Sequence, residues 1–212
     1  MPEQIKPVAP AIPPVPTLQR RGASARRSFL PRVMTPQIFV ASFEDLTALV
    51  IMQLDESNRV GFLTFQALRD YVEDGAVWIA WGTLAGQQRP VGYLISPIPK
   101  RHLAAESLQP IIQCVVAAPH RRQGIASALL ECVEYDARVR GSVGLQARCR
   151  ADLQANSFWA AQGFIKIDQE HTRTARGHAI NVWRKPLQKR IPHWFAFRRL
   201  RSEPKPADPG GQ

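Results

Sequence analysis

Ile111-Ile112-Gln113-Cys114-Val115-Val116-Ala117-Ala118-Pro119-His120-Arg121-Arg122-Gln123-Gly124 is the stretch on which the reading of this chain turns. Its first half is apolar and β-branched at Ile111, Ile112, Val115 and Val116, as suits a strand buried on both faces. Pro119 stops that strand. Past Gly124, the residues Ile125, Leu129 and Val133 recur every four positions, and Glu131 and Glu134 fall on another face, the pattern of an amphipathic helix. A helix start presents unpaired N–H groups and the positive end of a dipole, and therefore attracts anions. Arg121 and Arg122 add charge, and the small Gly124 and Ala126 let an anion come close to the backbone. A phosphate site is expected here; the plainer alternative is a strand-to-helix connection with solvated arginines.

Working outward, Arg121-x-x-Gly124-x-Ala126 between an apolar strand and an apolar helix resembles the acyl-CoA pyrophosphate loop of the GNAT N-acetyltransferase superfamily. A second stretch, Ala155-Asn156-Ser157-Phe158-Trp159-Ala160-Ala161-Gln162-Gly163-Phe164, is similar to the helix and Gly-Phe pair that close the family's cofactor site. The resemblance covers about Thr35 to Pro186. It implies an α/β (α+β type) domain, with a mixed, mostly antiparallel central sheet flanked by helices on both faces. It also implies an enzyme that moves an acetyl group from acetyl-CoA, or another acyl-CoA co-substrate, to a primary amine.

Composition divides the chain. Residues 1–35 carry six basic side chains against one acidic, +5, and residues 184–212 carry eight against two, +6. Residues 36–183 carry fourteen of each and are neutral. Two basic arms on an ordinary domain are therefore expected. Such arms either contact nucleic acid or another polyanion, or serve solubility alone. Cys114, Cys132 and Cys149 show no C-x-x-C spacing, and the five histidines form no ligand pair, so no metal is expected. Three thiols, no run of about 18 apolar residues and no secretory h-region point to the cytoplasm and to no transmembrane segment.

In chain order, residues 1–35 read as a disordered, proline-rich basic arm, 36–186 as the domain, and 187–212 as a basic and aromatic extension. Gln37 to Ala41 is a strand; Ser42, Glu44 and Asp45 open a helix with a buried stripe of Leu46, Leu49, Val50 and Leu54. Thr64 caps a second helix, Phe65 to Glu73. Ala76 to Trp81 and Pro90 to Ile95 are hairpin strands around a turn at Gly86 to Arg89, and Pro97 to Gln109 is a loop. Val143 to Cys149 is a strand, Asp152 begins a short helix, and Phe164 to Ile167 pairs with Ala179 to Trp183. In the family the two early helices wall the acceptor site, so Asp55 to Leu63 is where acceptor specificity is expected.

The resemblance assigns cofactor contacts to the backbone around Val115 and Val116, to Arg121, Arg122, Gln123, Gly124, Ile125, Ala126 and Ser127, and to Asn156, Phe158 and Trp159. One amide near Val115 or Val116 would face the thioester oxygen. Asn156 either hydrogen-bonds the pantetheine or fixes nearby backbone. The amine must lose a proton. The family often has a glutamate on the central strand, where this chain has Gln113; Glu44, Glu106, His102 and His120 are the remaining candidates. Where the family often has a tyrosine to protonate the thiolate, this chain has Trp159, which donates a hydrogen bond but no proton. The alternatives are a modifier of nucleic acid or aminoacyl-tRNA, and a CoA-binding module without fast turnover.

Overall fold

The computed structural model describes residues 36–84, 87–99, 107–171 and 177–188. Strand β1 (Gln37–Val40) leads through a short 3-10 turn to helix α1 (Leu46–Asp55) and then α2 (Phe65–Glu73). Strands β2 (Val77–Leu84) and β3 (Gln87–Ile95) form a hairpin, followed by β4 (Leu108–Ile111) and β5 (Gln113–Val116). Helix α3 (Ile125–Val139), strand β6 (Gly144–Arg150), helix α4 (Ala155–Ala161), and strands β7 (Ile165–His171) and β8 (Ala179–Pro186) complete the domain.

The strands form two four-stranded sheets, ordered β1-β2-β3-β5 and β4-β6-β8-β7. Only β4 against β6 is parallel. The two sheets share what the sequence presents as one central strand, broken at Ile112. The break is a β-bulge: the register sets Gln113 opposite Ile95, and the Ile112 amide also donates to the Ile95 carbonyl at 2.9 Å. Two residues thus face one, which bends the strand. Its first half stays with β6 and its second half follows β3, so β5 and the later part of β6 diverge.

Two apolar layers hold the sheets between helices. Val77, Ile79, Tyr93, Ile95 and Val115 pack with Leu46, Leu49 and Met52 of α1 and Leu68 and Val72 of α2. Ala80, Leu94, Leu145 and Ala147 pack with Ile125, Leu129, Leu130 and Val133 of α3 and Trp159 of α4. Residues 79 and 80 thus face opposite layers, as the strand's period of two requires. This is the expected fold class, with the strands and helices in the expected order.

Several boundaries differ. The central strand begins at Leu108, inside the expected loop; Pro110 is tolerated because β4 is an edge strand of its sheet. The hairpin strands run on to Leu84 and from Gln87, so the expected turn shrinks. The short helix begins at Ala155, not Asp152, whose carboxylate instead pairs with Arg150. In α1 the stripe passes through Met52 and Gln53, leaving Leu54 53% exposed. Glu134, expected on the outer face of α3, is buried between Lys185 and Arg138.

Candidate functional site

The turn before α3 is shaped by its backbone. Ala118–His120 forms a 3-10 turn with Pro119 near its start, and Arg121 is extended. Arg122 and Gly124 then both take positive φ, 63° and 82°. For an arginine this costs on the order of 1–2 kcal/mol. Left-handed residues at such a turn swing N–H groups to one side, as in anion-binding concavities. The first bond of the helix runs from the Ala128 amide to the Gly124 carbonyl, 2.9 Å, and no side chain caps the start. The amides of Ile125, Ala126 and Ser127 therefore point off the helix end. A Cβ on Gly124 would meet nothing within 4 Å, so the space above the turn is open. The nearby polar side chains are occupied. Gln123 Nε2 donates to the Pro119 carbonyl at 3.2 Å, and the Ser127 hydroxyl accepts from Gln162 Nε2 at 3.0 Å.

A second feature is the open edge of β5. The Ala117 amide donates to the Val91 carbonyl at 2.9 Å. Hydrogen bonding alternates along an antiparallel pair, so Val115 and Gln113 bond to β3, and Cys114 and Val116 present their amides and carbonyls to the divergence from β6. Arg121 Nε takes up the Val116 carbonyl, at 3.0 Å. The Val115 backbone thus faces Tyr93, and the open edge is formed by Cys114 and Val116.

Beside this edge lies a cleft of about 290 Å³ lined by Met52, Asp55, Glu56, Ala117, Ala118 and Pro119. A larger cavity, about 510 Å³, lies between α2 and the segment after β3, with Asp70, Tyr71, Pro97 and Pro110 in its wall. None of its lining residues belongs to the turn or to β5. Between cleft and core runs a buried polar chain. Tyr93 donates its hydroxyl to Gln113 Oε1 at 2.9 Å, and Gln113 Nε2 donates to Gln53 Oε1 at 3.1 Å and to the Gly61 carbonyl. Gln53 in turn accepts from the Leu63 amide at 2.9 Å and donates to its carbonyl at 2.8 Å. The segment expected to set specificity is thereby fastened to α1 and β5. On the other flank, Arg150 Nη1 donates to the Asn58 carbonyl at 2.9 Å. Burial, then the charges of Cys114 and Glu56, raises the Tyr93 phenol well above its ordinary value. Burial pushes the Cys114 thiol up to about 12, and Cys132 and Cys149 are raised for the same leading reason. Burial thus works against ionisation at all three thiols.

The second motif is tied into the fold by hydrogen bonds and ring contacts. Asn156 Nδ2 donates to the carbonyls of Arg150 and Leu153, both at 2.7 Å, and its Oδ1 accepts from Asn181 at 2.9 Å and Trp183 at 3.0 Å. Both ends of the amide fix adjoining backbone and β8, so the backbone role is the one seen. Trp159 is 6% exposed, edge-on to Phe158 and Phe164 with centroids 5.0 and 5.1 Å away. Its ring packs in the layer against which Cys114 and Val116 of β5 also lie. Phe158 is partly buried against the same layer.

Of the candidate bases, Glu44 stands before α1, exposed, while the cleft adjoins the other end of that ten-residue helix, about 15 Å along. Glu44 and the cleft thus lie at opposite ends of α1. His120 is buried, and Glu106 and His102 lie outside the described residues. Two carboxylates border the cleft, the exposed Asp55 and the largely buried Glu56, and no periodicity in the sequence singled out Glu56. Among the described residues, no group of three or more His, Cys, Asp or Glu could hold a metal ion, and no helix is long and apolar enough to cross a membrane.

Residues 43–164 match the profile of the Acetyltransferase (GNAT) family. No curated protein matches the chain significantly. Solved structures do: Ard1 from Thermoplasma volcanium superimposes with a TM-score of 0.61 at 16% identity, over 73% of this chain and 99% of that one. A ribosomal-protein-alanine N-acetyltransferase from Brucella melitensis gives 0.57 at 22% identity, over 71% and 99%. NAA60 of Arabidopsis thaliana, solved with acetyl-CoA, gives 0.61 at 17% identity, over 72% and 99%.

Proposed function

Because this chain belongs to the acetyltransferase (GNAT) family, an enzyme family that uses an acyl-CoA co-substrate, we propose that it transfers an acetyl group from acetyl-CoA to a primary amine held beside β5. Acetyl-CoA supplies an activated thioester carbonyl. The backbone amides of residues 123–127 hold its diphosphate, with Arg121 and Arg122 adding charge. Cys114 and Val116 offer the amides and carbonyls that an extended pantetheine arm can pair with, as an added strand would. An amide of that edge is also placed to donate to the carbonyl oxygen as negative charge develops on it. Segment 55–63, fastened across the divergence, borders the acceptor.

The observation that carries this reading is the uncapped start of α3, with left-handed Arg122 and Gly124 leaving open space before it. Calorimetry of acetyl-CoA on the full chain and on Gly124→Glu tests it. The expected result is a loss of binding of at least about tenfold, since a carboxylate would stand where the diphosphate sits. Unchanged binding would reject the assignment of the turn.

The acceptor is sought by thiol release from acetyl-CoA against pooled amines, peptides and tRNA. Peptides with free α-amines come first, because an alanine N-acetyltransferase of ribosomal protein is among the structures with this fold. An acceptor on nucleic acid or aminoacyl-tRNA is the variant that the basic arms favour. A second reading, CoA binding without fast turnover, rests on the buried Trp159 and on Gln113 standing in the central strand. Bound CoA with no turnover across the pool would favour it. The three free cysteines fit a reducing, cytoplasmic setting.

A further inference from the structure

Arg121 opens the cofactor turn, yet its guanidinium lies against the protein. Nε donates to the Val116 carbonyl at 3.0 Å, and Nη2 donates to Glu56. Glu56 follows the last residue of α1, and its side chain is 11% exposed against 36% for Arg121. Its other cation is Arg59, at 3.2 Å, whose side chain is 59% exposed. The carboxylate borders the cleft, and its charge acts on the Tyr93 phenol, which is bonded to Gln113 in β5. It therefore lies close to the open edge, on the side of the sheet that carries α1 and α2.

Such an arrangement is satisfied only while Arg121 stays. A carboxylate largely withdrawn from water is costly without a cation. A diphosphate arriving at residues 123–127 carries more charge than one carboxylate and accepts the arginine fork well. It competes for the same guanidinium. Once Arg121 moves, Glu56 keeps only the solvent-exposed Arg59, and the Val116 carbonyl is released for the pantetheine arm. The cation that the reaction then brings is the protonated amine of the acceptor. We propose that Glu56 is the anchor for the acceptor's ammonium group, masked by Arg121 until the cofactor draws that arginine away. The inference rests on the acetyl-CoA reading above, and makes amine binding follow cofactor binding.

A purely structural pair would hold Arg121 ready for the cofactor, so its loss would weaken acetyl-CoA binding. A mask has the opposite sign. Acetyl-CoA titrated calorimetrically into the full chain should bind about three- to tenfold more tightly to Glu56→Gln than to the unaltered protein. Arg121→Gln should weaken binding, and in the double variant the Glu56 change should add nothing. Repeating the titration in excess n-butylammonium, against sodium at equal ionic strength, reads the ammonium site directly. By reciprocity of linked binding, the amine should tighten acetyl-CoA binding in the unaltered protein and not in Glu56→Gln. Unchanged or weaker binding in Glu56→Gln overturns the mask, and no butylammonium effect on the unaltered protein overturns the anchor. Absence of any acetyl-CoA binding by the unaltered protein sinks the cofactor reading and this inference together.

Discussion

Gly92 sits where no methyl group fits. An added Cβ would lie 2.9 Å from the Val115 carbonyl oxygen, 3.1 Å from Ile125 Cγ2 and 3.3 Å from Val116 Cγ2. The first of these is backbone and cannot rotate away, so β3, β5 and the start of α3 would have to part. Gly92→Ala is therefore expected to destabilise the domain by about 1–3 kcal/mol, read as a fall in the urea midpoint. Because the strain falls on β5 and Ile125, acetyl-CoA binding should weaken as well; an unchanged midpoint would mean that the sheet absorbs the methyl. Gly124 is the contrasting case: its space is open and its φ is the constraint. That difference bears on what a sequence can disclose. Gly124 is legible because it falls in a short motif at a helix start. Gly92 is not, since its neighbours come from residues more than twenty positions away. Asn156 and Trp159 were visible as motif residues, but the hydrogen-bond partners of Asn156, Asn181 and Trp183, and the packing of Trp159 on Phe158 and Phe164 were not, and these contacts decide how the two side chains sit.

Helix α1 shows how an element can be recognised while its facing is misjudged. The apolar residues Leu46, Leu49, Val50 and Leu54 suggest one stripe, yet the buried line ends in Gln53, fully out of solvent. A glutamine can hold that place because its amide satisfies both backbone groups of Leu63. Polarity alone would have put it outside. Central strand β4–β5 was legible for the same reason that α3 was: long apolar patterns survive tertiary context. Its bulge was not, because a bulge is a property of two strands. Gln53→Met keeps the volume and removes all three hydrogen bonds, the one accepted from Gln113 included. The expected cost is about 1–2 kcal/mol, tempered because Leu63 is reached by water. The more specific readout is local: amide hydrogen exchange in residues 55–63 should quicken while that of α3 is unchanged. Uniform acceleration throughout the domain would instead mean that Gln53 supports the fold globally and does not act as the clasp of this segment.

Across the whole molecule the charge is uneven in a way that no single element reveals. Residues 36–183 are neutral, and the chain's excess of +11 falls before and after that span, with Arg184 and Lys185 on strand β8 and the rest, +5 and +4, in residues 1–35 and 189–212. The folded part reaches slightly past the boundary suggested by the pattern. The Leu187 amide donates to the Val143 carbonyl at 3.0 Å, and Gln188 Nε2 donates to the Gly141 carbonyl at 3.3 Å. We therefore place the domain at 36–188 and treat 1–35 and 189–212 as the arms. If the arms serve a polyanion, affinity for tRNA or duplex DNA should fall steeply as salt rises, since each phosphate neutralised releases counterions. A chain trimmed to 36–188 should keep the melting temperature and acetyl-CoA affinity of the full chain, because the apolar layers and the turn before α3 lie within it. It should lose most of the salt-dependent binding. Retained binding with the same salt slope would transfer the polyanion site to the domain, where Arg121 and Arg122 stand at the turn proposed to hold the diphosphate. Arms without any such binding would leave them a solubility role. The measurement also separates two kinds of acceptor: if tRNA is acetylated only by the full chain, the arms bring the substrate, whereas peptide acetylation by both chains at equal rates would locate acceptor recognition in segment 55–63.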